Sequence, residues 1–81
     1  MDTDNLVLFY QKTCPFCIKV LDFMEENDID IKTREITQDS DAAEKLVNVG
    51  GKKQVPCLFI NEKPLYESDD IIHWFKENLL S

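Results

Sequence analysis

Two cysteines three positions apart, in Cys14-Pro15-Phe16-Cys17, come shortly after the apolar run Leu6-Val7-Leu8-Phe9-Tyr10. A short continuous apolar run reads as a buried strand. Pro15 suits the first position of a helix, where its missing N–H goes unused. Beyond it Cys17, Val20, Leu21 and Met24 recur at i, i+3, i+4 and i+7 and make one apolar stripe. The pair therefore stands at a strand-to-helix junction, its sulfurs one helical turn apart and able to join in a disulfide. In that setting the motif points to thiol–disulfide exchange rather than to a structural staple.

The chain has 81 residues, 43% of them apolar, with only two glycines and three prolines. That length allows one compact domain over residues 1–81, without linker, repeat or disordered tract. The segment Met1-Asp2-Thr3-Asp4-Asn5 is acidic and lacks the basic start of a signal peptide. The longest apolar runs are about five residues, against ~20 for a membrane-spanning helix. The expectation is a cytoplasmic protein with no membrane partner. Three cysteines then fit catalytic or metal-binding use better than a disulfide framework. The formal net charge of −7 argues against nucleic acid, because phosphate binding needs a basic face. It fits solubility, or docking to a basic patch on a protein substrate. The basic residues of interest are local: Lys12 beside the thiols, and Lys52-Lys53 ahead of Val55-Pro56.

After a first helix that fades near Asn27-Asp28, alternation of Ile29 and Ile31 with Asp30 and Lys32 predicts a second strand at about 30–36. Asp39-Ser40-Asp41 predicts the cap of a second helix, with Ala43, Leu46 and Val47 as its apolar face and Gly50-Gly51 as its stop. Cys57-Leu58-Phe59-Ile60 reads as a third strand, Asn61-Glu62-Lys63-Pro64 as a turn, and Leu65-Tyr66 as a short partner strand. Ser68 is the expected N-cap of a last helix that buries Ile72, Phe75 and Leu79. The order is β-α-β-α-β-β-α. A right-handed crossover makes the first two strands parallel, and a short loop makes the last two antiparallel. A four-stranded mixed sheet with three helices follows.

A free thiol with pKa ~8.5 is mostly protonated at neutral pH and inert until it ionises. Cys14 falls at the helix N-cap, where unpaired amides and the helix dipole favour a thiolate, and Lys12 adds a positive charge nearby. Cys17 falls one turn inside, facing the core. Cys14 is thus the expected nucleophile and Cys17 the resolving thiol; Pro15 stiffens the turn and Phe16 offers substrate an apolar surface. Two plainer readings compete. The pair merely packs, or it is half of a zinc site completed by Cys57 and His73, although no second pair stands at ligand spacing. Cys57 otherwise reads as a small core residue, His73 as a surface one, and Trp74 and Phe75 as packing. Val55-Pro56 taken alone reads as an extended residue before a trans proline.

Together, Cys14-Pro15-Phe16-Cys17, Val55-Pro56 and Ser68-Asp69-Asp70 resemble the glutaredoxin branch of the thioredoxin fold, over nearly the whole chain. The resemblance implies a thioredoxin-like α/β fold. It implies that Cys14 attacks a glutathionylated substrate and takes up glutathione as a mixed disulfide. A second glutathione, or Cys17 closing an internal disulfide, then releases it. It implies a cis Pro56 beside the thiols, backbone pairing of Val55 with glutathione, and Ser68 and Asp69 at the γ-glutamyl end. Lys52 or Lys53 would face the glycyl carboxylate, with Phe16 and Lys12 completing the implied glutathione-binding set. Glutathione as co-substrate, disulfide-containing or glutathionylated proteins as partners, no metal and a monomeric state complete the implication. The chain departs from the family's common Gly-Gly before the serine–aspartate pair, carrying Tyr66-Glu67 instead, which puts larger side chains beside the ligand. Glu-Ser at this point is similar to the glutathione-binding half of glutathione transferases. Lys12 stands two residues before the nucleophile, where many glutaredoxins place their lysine three before.

The leading rival is a thioredoxin-like electron donor, reduced by a flavoprotein and indifferent to glutathione. The serine–aspartate pair and Lys52-Lys53 argue against it, since such a carrier needs no anion site. A carrier of a [2Fe–2S] cluster bridged by Cys14 and glutathione is disfavoured by the rigid turn at Pro15. A purely protein-binding module would leave Cys14 without a role.

Overall fold

The computed structural model describes residues 4–80, so residues 1–3 of the acidic N-terminal segment lie outside the described residues. Seven elements follow in the expected order: β1 (Leu6–Tyr10), α1 (Pro15–Glu26), β2 (Lys32–Glu35), α2 (Ser40–Gly50), β3 (Cys57–Ile60), β4 (Lys63–Tyr66) and α3 (Ser68–Asn78). The sheet runs β2-β1-β3-β4. β1 pairs parallel with β2, Leu8 opposite Thr33, and antiparallel with β3, Leu8 opposite Leu58. β4 pairs antiparallel with β3 at the edge.

Side chains alternate across a strand, and the sheet uses both faces. Leu6, Leu8 and Leu58 point to one side, where Val20 and Met24 of α1 and Ile71 and Phe75 of α3 cover them. Phe9, Cys57 and Phe59 point to the other, against Ala42 and Leu46 of α2. Phe9 and Phe59 pack with ring centroids 4.5 Å apart. Each fully buried Leu or Phe contributes ~1.5–3 kcal/mol, so two thin cores hold the chain instead of one deep one.

Local chemistry sets the ends. Pro15 is the first residue of α1, and Asp39 caps α2 by accepting the Ala42 N–H at 3.1 Å. Gly51 closes α2 at φ 91°, a conformation side-chain-bearing residues adopt reluctantly. Several expectations need correcting. On α2 the buried residues are Ala42 and Leu46; Val47 is 42% exposed, because the sheet meets the helix one residue earlier in its turn. On α3 the stripe centres on Ile71 and Phe75, with Ile72 and Leu79 on its shoulder. The β3–β4 turn is only Asn61-Glu62, both at positive φ (52° and 66°), the two-residue hairpin geometry that matches strand twist. Lys63 and Pro64 therefore belong to β4, whose edge position tolerates the missing proline N–H. The N-cap of α3 is Glu67 rather than Ser68, which is the first helical residue.

Candidate functional site

Cys14 occupies the N-cap of α1 with extended backbone (φ −87°, ψ 119°) and its side chain bonds no helix amide. Its N–H donates to the Gln11 carbonyl and its own carbonyl accepts the Ile18 N–H, both at 3.0 Å. The side chain is half-buried and carries a free thiol. Cys17 lies one turn further in and is fully buried. Burial above all pushes its thiol up to about 12; the Gln11 N–H, donating to Sγ at 3.5 Å, opposes the rise, while Cys14 and the Glu35 charge add to it. The two sulfurs are thus differentiated as the sequence predicts, one near the surface and one held protonated in the interior.

Val55-Pro56 is cis and immediately precedes β3. With Phe16, Gln54, Glu67, Ser68 and Asp69 it lines an open cleft of about 340 Å³. Phe16, between the two cysteines in sequence, is 63% exposed and forms one wall. Ser68, almost fully buried at the first turn of α3, is one of the lining residues, so the cleft reaches a helix start, a place where an anion is stabilised. Five of the residues singled out from sequence, Phe16, Val55, Pro56, Ser68 and Asp69, come together here from three separate parts of the chain.

Lys12 and Lys53 are not among the lining residues, and Lys52 sits with its ammonium 4.6 Å from the Tyr66 ring. Lys12 enters instead through its backbone N–H, which donates to Glu35 Oε2 at 2.9 Å. Gln54 is a cleft residue that sequence reasoning did not place in the site, its only signal being its position beside Val55. Glu67 lines the cleft, as expected of a residue that replaces glycine beside the ligand. Glu67 holds a left-handed backbone at φ 72°, where glycine is at ease, and its carboxylate accepts from Gln54 Nε2 at 3.2 Å. Tyr66, the other half of the departure, turns to the opposite face of the sheet. There its hydroxyl donates to the Gly50 and Lys52 carbonyls at 2.9 and 3.1 Å. It does not crowd the cleft. Asp69 forms an ion pair with Lys19 of α1, a contact 50 residues apart in sequence that no motif announced.

The zinc reading loses its ligand set. Cys57 is buried on the α2 side, and His73 is exposed and pairs with Glu77 at 2.7 Å. Among the described residues no three His, Cys, Asp or Glu converge on a point that could hold a metal. Nor is any described helix long and apolar enough to cross a membrane.

The glutaredoxin family model matches residues 6–65, from β1 into β4, and so takes in both the cysteine pair and Val55-Pro56. The chain belongs to the glutaredoxin family. That places it in a family of thiol–disulfide oxidoreductases with the thioredoxin-like fold described above. It is 32% identical over 74 residues to the chloroplastic glutaredoxin-C4 of Oryza sativa, covering 88% of this chain and 56% of the rice protein. The chain thus spans little more than half of that relative. Among solved structures a wheat glutaredoxin is 30% identical with a TM-score of 0.69, over 94% of this glutaredoxin and 74% of the wheat chain. The omega-class glutathione transferase 3C of Trametes versicolor reaches a TM-score of 0.81 at 22% identity, over 95% of this chain and 34% of that one, a likeness of fold. Ser68 and Asp69 lie beyond the stretch that the family model matches.

Proposed function

We propose that this glutaredoxin is a glutathione-dependent thiol–disulfide oxidoreductase that reduces glutathione mixed disulfides or protein disulfides through Cys14 and Cys17. The observation that carries the reading is the cleft itself. It joins the extended backbone at Val55-Pro56, the start of α3 at Ser68 and the Phe16 wall beside the cysteine pair. An extended peptide can pair with the Val55 backbone as with a strand, while its carboxylate meets the α3 amides and its ammonium meets Asp69.

The Cys14 thiolate attacks the glutathione sulfur of the substrate, and the disulfide breaks. The substrate thiol leaves and takes a proton, with glutathione now bonded to Cys14. A second glutathione thiolate attacks that bound sulfur, forming glutathione disulfide and restoring Cys14. In sum, one mixed disulfide and one glutathione become the substrate thiol and glutathione disulfide. In the alternative closure Cys17 attacks the Cys14 sulfur and expels glutathione, but Cys17 must first lose a proton that burial holds tightly. The protein works as a monomer without a metal, in a reducing compartment such as the cytoplasm, where free cysteines persist.

The test is turnover of a glutathionylated peptide with glutathione as reductant. Cys14→Ser is expected to abolish turnover and Cys17→Ser to retain it. An inactive wild type would sink the reading. Glu67, with its carboxylate in the cleft, would then mark a site closed to glutathione, and the thioredoxin-like electron donor would take its place.

A further inference from the structure

We propose that Glu35 is a positioning residue for the thiol pair, its two carboxylate oxygens tying the end of β2 to the turn that holds Cys17. Glu35 Oε1 accepts from the Thr37 N–H at 2.5 Å, the Thr37 hydroxyl at 2.6 Å and the Gln38 N–H at 3.0 Å. Oε2 accepts from the Lys12 N–H at 2.9 Å. The residue before Lys12 touches both cysteines through its backbone. Gln11 donates its N–H to Cys17 Sγ at 3.5 Å and accepts the Cys14 N–H at 3.0 Å. One carboxylate thus grips the 11–13 turn from the sheet, and that turn grips the two thiols.

The arrangement requires an acceptor on each side. A glutamine in this place has one oxygen and one NH2, so an N–H would face either Lys12 or the Thr37-Gln38 amides, donor against donor. An aspartate keeps both oxygens on a shorter arm. The described state is the dithiol, and it is the dithiol that the Gln11 N–H stabilises at Cys17. Releasing the turn weakens the reduced form relative to the internal disulfide. In that conversion Cys14 and Cys17 each lose a hydrogen, the two sulfurs join, and an external disulfide takes up both electrons and both protons. This role rests on Cys14 and Cys17 being the exchanging pair.

The test equilibrates the folded protein with 2-mercaptoethanol and its disulfide and reads the Cys14–Cys17 disulfide by thiol labelling and mass. It contains no glutathione, so a failure of glutathione recognition leaves it untouched. Glu35→Gln is expected to shift the equilibrium about threefold toward the disulfide, the size of one weak hydrogen bond. Glu35→Asp is expected to return it most of the way. Thr37→Val, which removes one donor to Oε1 and keeps the charge, is expected to give a smaller shift in the same direction. It carries the test if Glu35→Gln does not fold. A lower melting temperature with an unchanged equilibrium would make Glu35 merely structural and overturn the proposal. A wild type that forms no internal disulfide would overturn the pair assignment itself, and this role with it.

Discussion

Cys17 and Cys57 are both fully buried, and burial is the first cause of the rise in each, to about 12 and about 11. They lie on opposite sides of the sheet. Cys17 projects from α1 above the face made by Leu8 and Leu58, whereas Cys57 faces α2 among Phe9, Phe59 and Leu46. What separates them is company. Cys17 has Cys14 one turn away and the Gln11 N–H on its sulfur, so a disulfide partner and a route to it exist. Cys57 has the Tyr66 hydroxyl and the Leu65 backbone, which moderate its pKa but offer no sulfur. Burial alone makes a thiol inert; a neighbouring thiol at the surface is what makes a buried one usable.

The sharpest way to break this contrast is native alkylation with iodoacetamide. At pH 7 a thiol with pKa about 12 is ionised to about one part in 10⁵, so Cys17 stays unlabelled, and Cys57 with it, while Cys14 reacts. Labelling of Cys57 as fast as Cys14 would dissolve the comparison. Next, Gly50→Ala puts a Cβ 2.7 Å from the Tyr66 hydroxyl, which is held in place by its two carbonyl bonds. The substitution is expected to cost about 1–3 kcal/mol in denaturant unfolding and to speed labelling of Cys57 but not of Cys14. Equal acceleration of both would show that the two sides open together.

On the thiol side, Glu67→Gly removes a carboxylate from the cleft and the left-handed strain of φ 72°. Stability is expected to change by less than about 1 kcal/mol, since relief of strain is offset by glycine's greater chain entropy. The KM for a glutathionylated peptide is expected to fall, and a rise would make the Gln54–Glu67 contact part of recognition. The smallest effect concerns acid. Thr37 and Lys12 hold the Glu35 carboxyl at about 2, below its ordinary 4.5, so the unfolded chain takes up the proton more readily. The stabilisation is complete above 4.5 and is lost as pH falls through about 2. Chemical unfolding along that range is expected to be less steep for Glu35→Gln than for the wild type; parallel curves would refute the linkage.

Much of this was legible in the chain. The seven elements, their order, and the parallel and antiparallel pairings follow from apolar runs, capping residues and the handedness of β-α-β connections. Cys14 at the helix start and Cys17 inside it follow from Pro15 and the apolar stripe alone. The cis Val55-Pro56 was legible only by resemblance, since a Val-Pro pair by itself favours trans. The rotation of α2 and α3 was not legible. A difference of one residue in which side chain meets the sheet changes no periodicity, and Val47 and Ala42 both fit a stripe through Leu46.

The sequence by itself determined the junction chemistry: a strand, a proline-started helix, two cysteines one turn apart, and the caps and glycines that end each helix. These are local matters, decided within a few residues by hydrogen-bond supply and allowed backbone angles. Only the tertiary structure decided what gathers around the thiol motif. It brought residues 54–56 and 67–69 to Phe16, paired Asp69 with Lys19, turned Tyr66 away and Glu67 inward, and set the Glu35 carboxylate beneath the 11–13 turn. Such contacts reach far along the chain, 23 positions from Lys12 to Glu35 and 50 from Lys19 to Asp69. Their geometry depends on how two helices and two strand ends pack together, which no window along the chain contains.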